Sequence, residues 1–149
     1  MKKIVITSVI FMICFSLAGC GNKDLLTCSL DLSDDGIQGK QKMMITFKDN
    51  TVSTLQMQVD VKITDDVSDE DWEDYVSNID NTYPDTNAEG VQLTKENDPE
   101  KQTYLLTLDI NVNKANNEDV AKYGLDLDNV VGNYSTVKEQ VEKSGFTCE

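Results

Sequence analysis

Between positions 55 and 63 every second residue is apolar: Leu55, Met57, Val59, Val61 and Ile63, with Gln56, Gln58, Asp60 and Lys62 between them. A period of two sends successive side chains to opposite faces of a pleated strand, one face buried and the other wet. A helix would scatter the same apolar residues around its circumference. The pattern recurs over residues 102–113, where Tyr104, Leu106, Leu108, Ile110 and Val112 alternate with polar neighbours. Two long strands, each with one apolar edge, demand a sheet with one buried side, and half-buried strands of this kind belong to antiparallel sheets.

Weaker signals extend the sheet. Residues 27–33 alternate loosely and stop at Asp34-Asp35-Gly36, a turn sequence. Residues 40–48 read as a second strand, Asp49-Asn50 as a tight turn, and residues 51–64 as the third strand of a meander. Ser68-Asp69-Glu70-Asp71 opens a helix, with acids in the first turn where the helix dipole favours them. Trp72, Tyr75, Val76, Ile79 and Tyr83 form its apolar stripe, and Pro84 closes it. Residues 90–96 read as a strand, 97–100 as a turn and 117–123 as a short helix ending at Gly124. A last helix opens at Thr136-Val137-Lys138-Glu139 and ends at Gly145. Residues 125–134 show no clear period, and Phe146-Thr147-Cys148 closes the chain. Strands, helix, strands and helices in that order predict an α+β domain: a mostly antiparallel sheet of about five strands with helices packed on one face.

The N-terminus follows a different logic. Lys2 and Lys3 precede about 14 uncharged, mostly apolar residues, whereas a helix needs about 20 to cross the hydrocarbon core. That layout predicts a secretory signal peptide. Its end, Leu17-Ala18-Gly19-Cys20, resembles the lipobox of bacterial lipoproteins. In such proteins the cysteine thiol receives a diacylglyceryl group, the bond before it is cut, and palmitate-type acylation completes the anchor. Two acyl chains hold a protein stably on a membrane where one does not. The expected organisation is a signal peptide over 1–19, a lipidated tether over 20–26 and a single α+β domain over 27–149. That domain would sit on the extracytoplasmic face of the cell membrane, and the tether would reach at most about 25 Å.

Of the four cysteines, Cys14 leaves with the signal peptide and Cys20 carries lipid. Cys28 and Cys148 are then the thiols left in a compartment that can oxidise them, so they are expected to form a disulfide. Losing Lys2 and Lys3 takes the formal charge from -14 to -16, and the chain has no arginine or histidine. Such acidity argues against nucleic acid as a partner.

The layout as a whole resembles YehR-like bacterial lipoproteins: a lipobox, a meander, a helix, two more strands and a C-terminal helix ending in a Gly-Phe step. The matching pieces here are Leu17 to Cys20, Leu55 to Ile63, Tyr104 to Val112 and Val137 to Phe146. The resemblance implies a small envelope lipoprotein without catalytic residues; the family's function is unknown.

Three segments invite a sharper reading. Residues 65–74 hold seven acids in ten positions, yet their spacing does not match a calcium loop and suits a solvated helix start. Residues 31–36 have the opening rhythm of an EF-hand loop, but the twelfth position is Lys42 where a bidentate glutamate is required. Trp72, Tyr75 and Tyr83 could line a groove, though helical spacing favours a core stripe. Without histidine, Ser-His and Cys-His pairs are impossible, the usual zinc ligands are lacking, and no glycine-rich phosphate loop occurs. No catalytic residue, metal site or cofactor is therefore expected. The expected function is a non-catalytic binding or interaction module of the cell envelope, meeting the membrane through its lipid and a protein or small extracellular ligand through its sheet. The alternatives are a lipid-tethered hydrolase using two carboxylates and a cation-responsive domain.

Overall fold

The computed structural model describes residues 24–32, 36–64 and 67–149. Its strands are β1 (Leu25–Asp31), β2 (Ile37–Lys48), β3 (Thr51–Ile63), β4 (Val91–Asp98), β5 (Thr103–Asn111) and β6 (Thr147–Cys148). Its helices are α1 (Asp69–Thr82), α2 (Asn117–Ala121) and α3 (Tyr134–Lys143), with a 3-10 turn at Leu127–Val130. The strands form one sheet in the order β4-β5-β3-β2-β1-β6, and every neighbouring pair is antiparallel. The α+β class and the antiparallel sheet agree with the sequence. The strand count rises from about five to six, because β6 is two residues long and too short to carry a period.

The β2–β3 hairpin is the longest pairing. Asp49 and Asn50 both have positive φ, 51° and 63°, as the two central residues of a type I′ turn require. Above the turn the register shifts between Thr46 and Phe47, which leaves Ser53 without a partner on β2. Its hydroxyl donates to the Thr46 carbonyl at 3.1 Å instead. This bulge changes the phase of β3, so Val52 and Leu55 both point into the core despite their odd spacing. At the other end, Ile37 pairs with Ile63, so β2 begins before Lys40. β1 likewise begins at Leu25, and Leu26 is already fully buried.

The buried strand residues are the apolar halves of the alternations: Leu26 and Cys28, Met43 and Ile45, Leu55 and Met57, Leu106, Leu108 and Ile110 among them. Trp72 of α1, Val120 of α2, and Val137 and Val141 of α3 belong to the same core. Each fully buried aliphatic side chain contributes about 1.5–3 kcal/mol. Ser68 caps α1 as expected, its oxygen accepting from the Asp71 amide at 3.2 Å. The cap of α3 is Asn133, which accepts from the Thr136 amide at 3.0 Å, so the helix starts ahead of the Thr136 opening. Within residues 125–134 the 3-10 turn at Leu127–Val130 is pinned by the Asn117 side chain, whose Oδ1 accepts from the Leu127 amide at 2.9 Å, and Tyr134 already belongs to α3. Gly90 carries φ of 75°, and a Cβ there would lie 2.7 Å from the Ala115 nitrogen, which leaves room for glycine only. No helix among the described residues is long and apolar enough to cross a membrane.

Candidate functional site

The polar halves of the same alternations assemble into a second surface. Strand registers set Thr27 opposite Met44, Met44 opposite Gln56, Gln56 opposite Asp109 and Asp109 opposite Gln92, a continuous row across β1, β2, β3, β5 and β4. The next row along the strands runs Ser29, Lys42, Gln58, Thr107 and Thr94. None of these residues is buried. Within the first row, Gln56 Nε2 donates to Asp109 Oδ1 at 2.6 Å. Where this face meets the first residues of β1 and β4 it dips into a shallow hollow of about 600 Å³, lined by Leu25, Met44, Thr46, Gln56, Asp109 and Lys114 among others. Amides, hydroxyls, the carboxylates of Glu89 and Asp109 and an ammonium surround a thioether and the half-exposed Leu25. That mixture can hydrogen-bond an extended polar ligand and cover a small apolar group.

Sequence reasoning identified Gln56, Gln58, Asp60 and Lys62 as water-facing, but not as members of a common site. The row needs Gln92 and Asp109 beside Gln56, and that depends on β5 lying between β3 and β4. The signal was present in the polar positions of the alternation, and the strand order was not.

A second polar cluster lies on the core side. Tyr104 is 2% exposed, and its hydroxyl donates to Asp80 Oδ1 at 2.7 Å. Lys95 Nζ stands 3.2 Å from Asp80 and 3.0 Å from Asp85. The hydrogen bond from Tyr104, helped by Lys95, holds the Asp80 carboxyl below the usual range against the opposing effect of burial. Burial and the Asp80 hydrogen bond push the Tyr104 hydroxyl well above its usual range. Burial also opposes the charge on Lys95, but the bonds to Asp85 and Asp80 outweigh it and raise its pKa. The cluster ties α1 to the exposed edge strand β4, whose inward-pointing lysine also discourages edge-to-edge pairing.

Tyr104→Phe keeps the ring and removes the donor. A hydrogen bond to a charged group contributes about 1.5–3 kcal/mol, and screening at the half-exposed Asp80 reduces this to about 1 kcal/mol. Because the folded-state pKa of Asp80 is depressed, the stabilisation is full above the unfolded value of about 3.9 and fades as pH falls through the lower folded value. Urea denaturation of both proteins at several pH values should show a gap at neutral pH that closes below about pH 4. A gap that widens with acid would contradict the assignment.

The structure treats the other sequence candidates unequally. Cys28 and Cys148 face each other on β1 and β6 with their sulfurs 2.03 Å apart, a disulfide. Cys20, the lipobox and the signal peptide lie outside the described residues, as do Asp65 and Asp66 of the acidic run and residues 33–35 of the EF-hand-like segment. The remaining acids of the run, from Asp69 to Asp74, fall in the first turns of α1, and the Asp71 carboxylate accepts a hydrogen bond from the Ser68 hydroxyl. Among the described residues no group of three His, Cys, Asp or Glu side chains is placed to hold a metal ion. Lys42 lies within β2 opposite Ser29, so the twelfth position of the EF-hand frame is a strand residue. Trp72 is 2% exposed, Tyr75 and Tyr83 pack against the core, and the three do not form an open aromatic platform. Tyr83 stacks on Tyr123 at 6.4 Å, while Tyr75 stacks on Trp72 at 5.8 Å.

No family model matches the chain, and no curated protein matches it. Among solved structures it is similar to a protein from Streptococcus pneumoniae TIGR4 determined by NMR. The two share 16% sequence identity at a TM-score of 0.50, over 100% of this chain and 97% of the other. At that identity the likeness concerns the fold alone.

Proposed function

We propose that this chain is a lipid-anchored, non-catalytic binding module on the extracytoplasmic face of the cell membrane. In this reading residues 1–19 direct export, Cys20 carries the lipid, and the helices cover one face of the sheet while the other face receives the partner. The partner is a protein or a small extracellular ligand. The observation that carries the reading is the polar face itself: two rows across five strands in which every side chain but Met44 is polar, none of them buried, with a hollow at one end.

The hydrolase alternative fits less well. A two-carboxylate site needs one carboxyl raised so that it can donate a proton. Asp80 and Asp85 are bound to one lysine, and Asp80 is lowered. The cation-responsive alternative asks for convergent acids, but the Asp71 carboxylate is engaged with its own helix cap.

Two measurements in the producing cells test the proposal. Cys20→Ser should accumulate as full-length precursor without lipid label, and normal processing and labelling would refute the anchor. A photo-crosslinking residue at Gln58 should give a discrete adduct that the same residue at Glu139 on α3 does not. Equal adducts at both sites, or none at Gln58, would refute the binding face.

A further inference from the structure

The domain has two chemically unlike ends. One end carries the Asp49-Asn50 hairpin turn, Gly90 and the connection after β5. These are drawn together by hydrogen bonds from the Asn111 amide to the Gly90 carbonyl at 2.7 Å and from the Val112 amide to the Ser53 carbonyl at 3.1 Å. The start of β1 lies at this same end, where the Phe47 amide donates to the Asp24 carbonyl at 2.7 Å. Its charges come closer to balance than those of the other end: Lys48, Lys114 and Lys138 against Asp24, Asp49, Glu89, Glu139 and Glu142. The opposite end carries the first turns of α1 and the β4–β5 turn, joined by Gln102 Nε2 donating to the Val67 carbonyl at 2.9 Å. There Asp31, Asp60, Asp69, Glu70, Asp71, Glu73, Asp74, Asp98 and Glu100 outnumber Lys40, Lys62 and Lys101 among the described residues, and Lys101 is already bound to Asp98.

We infer that the domain stands end-on, with the Asp49-Asn50 turn and the connection after β5 resting on the phospholipid headgroups and the acidic start of α1 pointing away from the bilayer. This rests on Cys20 being the anchor. From Cys20 to Leu25 there are five peptide steps, a reach of about 17 Å. The 13 residues of β3 span about 40 Å between the two ends. A tether of that length cannot hold the domain inverted, with the start of β1 about 40 Å above the membrane. Charge works in the same direction: the screening length in physiological salt is about 8 Å, so acids about 40 Å out do not feel an anionic surface, whereas the inverted orientation would press them against it. The polar sheet face then runs perpendicular to the membrane, with its 600 Å³ hollow at the lipid-proximal end.

The test uses the processed, lipidated protein in nanodiscs that contain a small fraction of lipid with a paramagnetic chelate on its headgroup. Line broadening of backbone amides is compared with a diamagnetic control. The amides of Asn50 and Asn113 should broaden several-fold more than those of Asp71 and Lys101. Gln38, on the sheet face but at the far end, should behave like Asp71. Broadening of Gln38 equal to that of Asn50 would mean the sheet lies flat, and stronger broadening at Asp71 would mean the domain is inverted; either overturns the orientation. Uniformly weak broadening on a chain whose mass includes the lipid overturns contact with the surface. A chain whose mass lacks lipid at Cys20 overturns the anchor itself, and the orientation with it, so the two failures are distinguishable.

Discussion

Trp72→Ala is expected to lower stability by about 3–5 kcal/mol, with the loss concentrated in α1. Trp72 is 2% exposed and is the one buried residue of that helix; Tyr75, Val76 and Ile79 are only partly covered. A 14-residue helix is marginal by itself in water. This one begins with three consecutive acids that favour the dipole but repel one another, so its place depends on the indole in the core. Truncation leaves a large void and removes the stacking partner of Tyr75. Trp72→Phe should recover most of the loss. Among the described residues the indole Nε1 has no hydrogen-bond partner, and an unsatisfied buried donor costs about 1–3 kcal/mol, which phenylalanine avoids. Urea denaturation with hydrogen exchange checks both statements. A loss below about 1 kcal/mol for alanine would mean that α1 is held by other contacts.

The second large effect concerns the disulfide. Cys28→Ala/Cys148→Ala should destabilise the domain by about 2–5 kcal/mol, and reductant should do the same to the unmodified protein. The bond spans 120 residues, so it removes much of the conformational freedom of the unfolded chain; the loop-closure estimate is about 5 kcal/mol. Locally it joins β1 to a two-residue strand that has little else to hold it. Thr27 and Glu149 exchange a pair of backbone hydrogen bonds, at 2.8 and 3.4 Å, on one side of the bridge. Without the bond β6 should fray first, and with it the docking of α3, whose Lys138 Nζ donates to the Cys148 carbonyl at 3.3 Å. An unchanged denaturation midpoint after reduction, with both thiols shown to be free, would contradict this account.

The parts of the fold legible in the sequence are those where one period governs a long run. β3 and β5 declare themselves through alternation, and α1 through its cap, its stripe and Pro84. What escaped is set by tertiary contact. The Thr136-Val137-Lys138-Glu139 string resembles a capping box, yet α3 begins at Tyr134, whose ring packs 5.3 Å from Phe47 and draws an extra turn into the helix. The bulge at Ser53 has no local signature because only the pairing with β2 reveals it. β6 is too short for any pattern, although its cysteine announced the bond that fixes it. The polar sheet face was half legible: Gln56 and Gln58 were placed toward water, but the rows they join depend on β5 lying between β3 and β4.

Mass spectrometry of the protein extracted from membranes of the producing cells tests the central claim of a lipid-anchored, disulfide-closed domain most directly. Alkylation without reductant, followed by intact and peptide mass measurement, should give a chain that begins at Cys20 and carries the mass of a diacylglyceryl thioether. Cys28 and Cys148 should be recovered as one linked peptide without alkylation. A chain that still begins at Met1, or a Cys20 without lipid, would contradict the anchor, and alkylated Cys28 and Cys148 would contradict the closure.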